Sequence, residues 1–260
     1  VQQDHLRRLL CLLLPWAQIL AGFMPFLGLG TSIAAISAAT RTPVVPAGYA
    51  FSIWTPIFIL AVAYGIWQFL PANRASLLAQ RTGWPLAGAF AANTLWQVVS
   101  QLLSSVGFGL FLIILAGLAC ALAALFIARN TPEEGIGKRW IVTPLTGLLA
   151  GWLTAASFVN LSSAARAAGM MPEHGIGATV FAVVILLAAG GAAAALSWLL
   201  RRDATWFAVA IAWAFVAVVV ANLGVNQVNI PAALAAAAML ALVAAVTWQR
   251  RRATTLGTAR

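Results

Sequence analysis

Eight apolar runs, each about as long as a membrane-spanning helix, divide this chain at roughly 9–28, 51–70, 84–104, 108–128, 140–162, 177–198, 205–222 and 230–248. About 20 residues of helix cross a bilayer core. Only 8% of the 260 residues are charged and 63% are hydrophobic, too little polar surface for a soluble domain of this size. The expected class is an all-α polytopic membrane protein with about eight transmembrane helices. The first run lacks a small-residue cleavage site, so it is expected to be a retained span and not a signal peptide.

The charges set the orientation. With the N-terminus inside, the cytoplasmic segments hold Arg7, Arg8, Arg74, Arg81, Arg129, Lys138, Arg139, Arg201, Arg202, Arg250, Arg251, Arg252 and Arg260, and the outer segments only Arg41 and Arg166. Eight spans with cytoplasmic N- and C-termini satisfy this division. The net charge of +10 is therefore a topology signal with lipid-headgroup contact, and no nucleic-acid partner is expected. High Ala and Arg use points to a bacterial inner membrane.

Asp4, Glu133, Glu134, Glu173, Asp203, His5 and His174 all fall in tails or loops, and no span carries an Asp, Glu, His, Lys or Arg in its interior. Ion-coupled carriers and proton pumps place such groups at membrane depth. Haem-ligating histidines, metal clusters and Ser/His/Asp or Cys/His sets are equally missing there. Cys11 and Cys120 sit in apolar runs and read as small core residues. No enzymatic activity and no metal site are expected.

The chain has eleven tryptophans instead. Trp67, Trp84, Trp140, Trp198, Trp206 and Trp248 lie near the cytoplasmic charges, at the level of an aromatic belt. Trp16, Trp54, Trp96, Trp152 and Trp213 are deeper, where an indole N–H needs protein or a cavity beside it. Trp96 and Trp152 each stand twelve residues beyond a belt tryptophan, about 18 Å of helix rise, so they match in depth. Asn93 precedes Trp96 by three and is expected on its face, with Gln97 adjacent; Asn160 follows Trp152 by two turns, past Ala156. These amides read either as interhelical glue or as polar groups of a ligand pocket. Gly147 and Gly151 form a GxxxG pair suited to close helix approach. Residues 188–195 and 232–238 are small-residue surfaces, fit for tight packing or a flat partner, and Asn222–Asn229 with Gln227 reads as a solvated outer turn. The 29–50 connection is rich in Gly, Ser, Thr and Pro but keeps Ile33 and Ile36, so it is expected to pack on the rim.

Three stretches carry a family likeness. Pro46-Ala47-Gly48-Tyr49-Ala50-Phe51-Ser52-Ile53-Trp54, Asn93-Thr94-Leu95-Trp96 and Trp152-Leu153-Thr154-Ala155-Ala156-Ser157-Phe158-Val159-Asn160 resemble, in order, motifs in the second, third and fifth helices of the TspO/MBR family, the tryptophan-rich sensory or translocator proteins. The likeness covers about 6–164. Tyr49 stands where the family has Trp, Ala47 where it has a second Pro, and the Phe51–Trp54 spacing is one residue short. The resemblance implies a five-helix bundle over 6–164, followed by three additional helices over 177–248 and a basic tail over 249–260. It also implies a cavity that takes a tetrapyrrole such as protoporphyrin IX or haem, lined here by Tyr49, Phe51, Trp54, Asn93, Trp96, Trp152, Ala156 and Asn160. Family members act as sensors or regulators of tetrapyrrole flux and pair as homodimers. Two other readings stay open: an accessory subunit of a larger membrane complex holding lipid or pigment, and an uncoupled small-solute transporter.

Overall fold

Hydrocarbon offers a backbone no hydrogen-bond partner but itself, and this chain meets that demand with helices throughout. The computed structural model describes residues 2–105, 107–133, 135–224 and 228–257. Its α-helices are α1 (Gln2–Phe23), α2 (Ile33–Ala39), α3 (Trp54–Trp67), α4 (Leu77–Leu103), α5 (Phe108–Asn130), α6 (Thr143–Ala167), α7 (Gly175–Leu200), α8 (Thr205–Leu223) and α9 (Ile230–Gly257), with no strand among the described residues. All but α2 are long. Glu134, Gln227 and Arg260 lie outside the described residues.

Among the described residues, seven segments are long and apolar enough to cross a membrane, one fewer than the eight expected. The exception is α4, which has ample length at 27 residues but carries Arg81, Asn93, Gln97 and Gln101. It can be polar because α1 and α5 cover it. Gln101, for example, donates from Nε2 to the Ala21 carbonyl of α1 at 3.0 Å. The chain is a multi-pass membrane protein.

The helices pack in the order α3, α1, α4, α5, α6, α8, α9, with α7 against α9 and α6. Helix α6 is the most interior: 72% of its most apolar stretch is buried, against 22–44% for the other six apolar spans. The GxxxG pair accounts for its contact with α8. A Cβ on Gly147 would stand 2.6 Å from Trp206 Cβ, and one on Gly151 2.5 Å from the Phe207 carbonyl oxygen. The small residues of α7 and α9 serve each other in the same way. Gly190 leaves no room for a Cβ beside Met239, and Ala193, Ala232 and Ala236 are fully buried.

The 29–50 connection is more than a rim. Ser32 caps α2 by accepting from the Ala35 N–H at 3.2 Å. Ile36, Val44 and Val45 are buried. Polar ties then fasten this strap across one end of the bundle. Thr31 N–H donates to the Gln101 carbonyl at 3.0 Å and Ala47 N–H to the Ala217 carbonyl at 3.0 Å. Thr42 and Ser162 share a hydroxyl pair at 2.8 Å. Asn222 is buried and donates to the Pro43 carbonyl at 2.8 Å, so it ends α8 as a strap anchor and is not part of a solvated turn.

Of the six tryptophans expected at the belt, Trp84, Trp140, Trp198 and Trp248 are exposed, while Trp67 and Trp206 are partly buried against the core. Trp140, Trp198 and Trp248 each have an arginine over the ring: Arg139 at 5.2 Å, Arg250 at 3.8 Å and Arg252 at 4.4 Å. Trp16 departs from its expected place. It is exposed on the outside of α1 and does not face protein or a cavity.

Candidate ligand-binding site

Pro46 and Gly48 end the strap, and the chain enters α3 through a 3-10 turn at Gly48–Ile53. In that geometry residues three apart eclipse each other, so Phe51 and Trp54 project to one side. Both point at Trp152 of α6, which is 4% exposed. Trp54 meets Trp152 edge-on, with centroids 6.3 Å apart and planes at 83°. Phe51 does the same at 6.1 Å and 78°. Phe58, one turn on, stacks under Trp54 at 5.3 Å. These are favoured quadrupole arrangements, and they fix three rings around an internal slot.

Trp96 of α4 closes the slot from the other side. Its indole N–H donates to Asn160 Oδ1 at 3.0 Å, while Asn160 Nδ2 donates to the Ala156 carbonyl at 2.9 Å. Asn160 is thus both interhelical glue and a lining group. Ile33, Ile36, Ser37 and Thr40 of the strap cover the slot. Leu186 and Ala189 of α7, with Ile211, Ala214, Phe215 and Val218 of α8, supply the remaining wall.

Six of the eight expected residues meet here: Phe51, Trp54, Trp96, Trp152, Ala156 and Asn160. Two do not. Tyr49 turns outward, 42% exposed, with its ring edge-on to Trp213 at 5.4 Å, while Trp213 itself donates to the Ala50 carbonyl at 2.9 Å. Asn93 is buried against α1 and donates from Nδ2 to Gln18 Oε1 at 2.6 Å. A three-residue step turns about 300° around a helix, leaving 60° between Asn93 and Trp96. In a crowded bundle that is enough to place them in different interfaces.

Ser100 is a lining residue outside the expected set. It lies one turn past Trp96 on the same face of α4, is 1% exposed, and its hydroxyl has no partner. The i, i+4 spacing from Trp96 was its sequence signal. The wall from α7 and α8 had none, because a Leu, Ile or Ala against a cavity looks the same in sequence as one against lipid.

The slot is narrow, at about 80 Å³. Drug-sized ligand pockets run from roughly 300 Å³ upward. Its lining contains no Asp, Glu, Lys, Arg, His, Cys, Met or Tyr. Flat aromatic faces suit a planar ring, but nothing in the lining can ligate iron, so the residues fit a metal-free ring and not a haem held through its metal.

A family profile described as TSPO-like protein matches residues 8–247, from α1 through most of α9. No curated protein and no solved structure matches the chain.

Proposed function

Given that the chain belongs to the TSPO-like protein family, we propose that it is a non-catalytic membrane sensor or regulator that binds planar, tetrapyrrole-type ligands in the slot between α3, α4, α6 and α8. One observation carries this reading: Phe51, Trp54, Trp96, Trp152 and Asn160, from three separate helices, face the same internal space. Aromatic rings on several sides offer a planar ligand stacking and edge contacts, and they exclude water. A macrocycle needs more room than the slot has, so binding requires it to widen. The strap is the cheapest part to move, since a few polar ties and two or three buried apolar side chains hold it. Ligand occupancy would then be reported at the outer surface as strap displacement, which is how a sensor can work without chemistry.

The small-residue faces of α7 and α9 are only partly taken up in packing: Gly190 meets Met239 and Ala193, Ala232 and Ala236 are buried, while Ala188, Gly191, Ala195, Ala237 and Ala238 are exposed. The sensor reading is preferred on the family match. We place the protein in a bacterial inner membrane with lipid around it, as a homodimer or within a larger assembly, and with no nucleic-acid role.

The test is titration of the purified protein with protoporphyrin IX, followed by tryptophan quenching. Saturable quenching is expected, weakened at least tenfold in Trp96→Ala/Trp152→Ala. Trp152→Phe keeps the ring volume and should retain partial binding, which separates site loss from misfolding. Equal affinity in the double alanine variant would remove the ligand from this slot.

A further inference from the structure

At the end of the bundle that the strap crosses, where α6 stops and α7 and α9 start, lies another cavity, an open groove of about 720 Å³. That is ample room for a ligand of ordinary size, and the groove shares no lining residue with the slot. Two charges of opposite sign line it, Arg166 and Glu173. They do not neutralise each other, since no ion pair among the described residues joins them.

Both charges keep bonding capacity. Arg166 is half-buried and donates through one Nη to the Arg41 carbonyl, which leaves most of the guanidinium fork unspent. Glu173 is exposed, and no hydrogen bond among the described residues reaches its carboxylate. His174 adds an imidazole to the same lining. The neutral polar groups are occupied with structure: Asn229 donates to Thr179 Oγ1 at 3.0 Å and caps α9 by accepting from the Ala232 N–H at 3.1 Å.

The rest of the wall is apolar. Ile176, Val180 and Val184 line the groove at i, i+4 and i+8, one stripe of about 12 Å along α7, and they are 85%, 55% and 57% exposed. On a helix that crosses the membrane, a stripe starting at the first turn runs from headgroup level into hydrocarbon.

We propose that this groove seats one phospholipid with a zwitterionic, primary-ammonium headgroup. Its phosphate lies on Arg166, its ammonium on Glu173, and one acyl chain along Ile176, Val180 and Val184. Arg166 and Glu173 together give the groove no net charge to draw a simple anion, whereas a headgroup carrying both signs satisfies both residues. A primary ammonium also donates hydrogen bonds to the carboxylate, which a quaternary one cannot. The site is separate from the slot and stands whether or not the slot takes a tetrapyrrole.

The test is native mass spectrometry of the full chain, released from nanodiscs of phosphatidylethanolamine, phosphatidylglycerol and phosphatidylcholine in equal parts with matched acyl chains. Retention of one phosphatidylethanolamine per chain is expected, about fivefold over either other lipid. Glu173→Gln should bring phosphatidylethanolamine and phosphatidylglycerol to within about twofold of each other. Arg166→Gln should lower retention of both roughly tenfold, while Arg166→Lys keeps most of it and so separates lost charge from a displaced strap. Val180→Ser/Val184→Ser should weaken retention about fivefold by removing the acyl contact. Equal retention of the three lipids by the unmodified chain, or an unchanged preference in Glu173→Gln, would overturn the proposal. Displacement of the lipid by an equal concentration of inorganic phosphate or glycerophosphoethanolamine would overturn it too, because the site would then take a headgroup alone.

Discussion

Asn93 and Trp96 stand one turn apart on α4 and do different work. The Asn93 amide holds α4 to α1 through Gln18, in a seam where Gln97 is also buried. Trp96 holds α4 to α6 through Asn160 and lines the slot. Interhelical hydrogen bonds in membranes contribute modestly, about 0.6 kcal/mol on average and up to about 1.7. Asn93→Ala is therefore expected to lower unfolding stability by about 1 kcal/mol in a denaturant titration while leaving ligand affinity within twofold. Asn160→Ala should lower both. A large affinity loss in Asn93→Ala with stability unchanged would put Asn93 back in the site. The residue types were legible in the sequence, since an amide or indole at membrane depth needs a partner. Their partners were not: Gln18 is 75 residues away from Asn93, and nothing local says that α1 packs on that face.

The helices themselves were readable because hydrocarbon imposes their length, and because Gly147 and Gly151 announce a close contact. Polar α4 was readable too, from its run over 84–104, which the helix extends back to Leu77. One element resisted for a physical reason. Helix α2 is seven residues long, stabilised by its place on the bundle more than by propensity, so its sequence resembles an irregular loop. That short helix matters because the strap containing it covers the slot, and its motion can be tested directly. The hydroxyls of Thr42 and Ser162 already meet at 2.8 Å. With Cys120→Ala to remove the partly exposed native thiol, Thr42→Cys/Ser162→Cys should form a disulfide under oxidation. Porphyrin association is then expected to slow at least tenfold in stopped-flow quenching, and reductant should restore it. An unchanged rate in the oxidised protein would mean that ligand enters elsewhere, between α3 and α8 for instance.

At the scale of the whole molecule, the question is whether α7–α9 are additions to a self-sufficient five-helix body or part of one bundle. The motifs lie within 6–164, which favours the first view. The slot favours the second, because Ile211, Ala214, Phe215 and Val218 of α8 and Leu186 and Ala189 of α7 complete its wall. Helix α8 also seats against Gly147 and Gly151 and anchors the strap through Asn222 and Ala217. Without it, α6 would show lipid a surface shaped for a helix, and the strap would lose two of its ties. The family match, running to residue 247, spans the same unit. Expressing 1–168 and 169–260 as separate chains decides the matter. The first fragment alone is expected to lose saturable porphyrin binding, and co-expression of the two should restore both binding and their co-purification. If the first fragment alone bound with the affinity of the intact chain, α7–α9 would be a separate module and the slot would have to close without them.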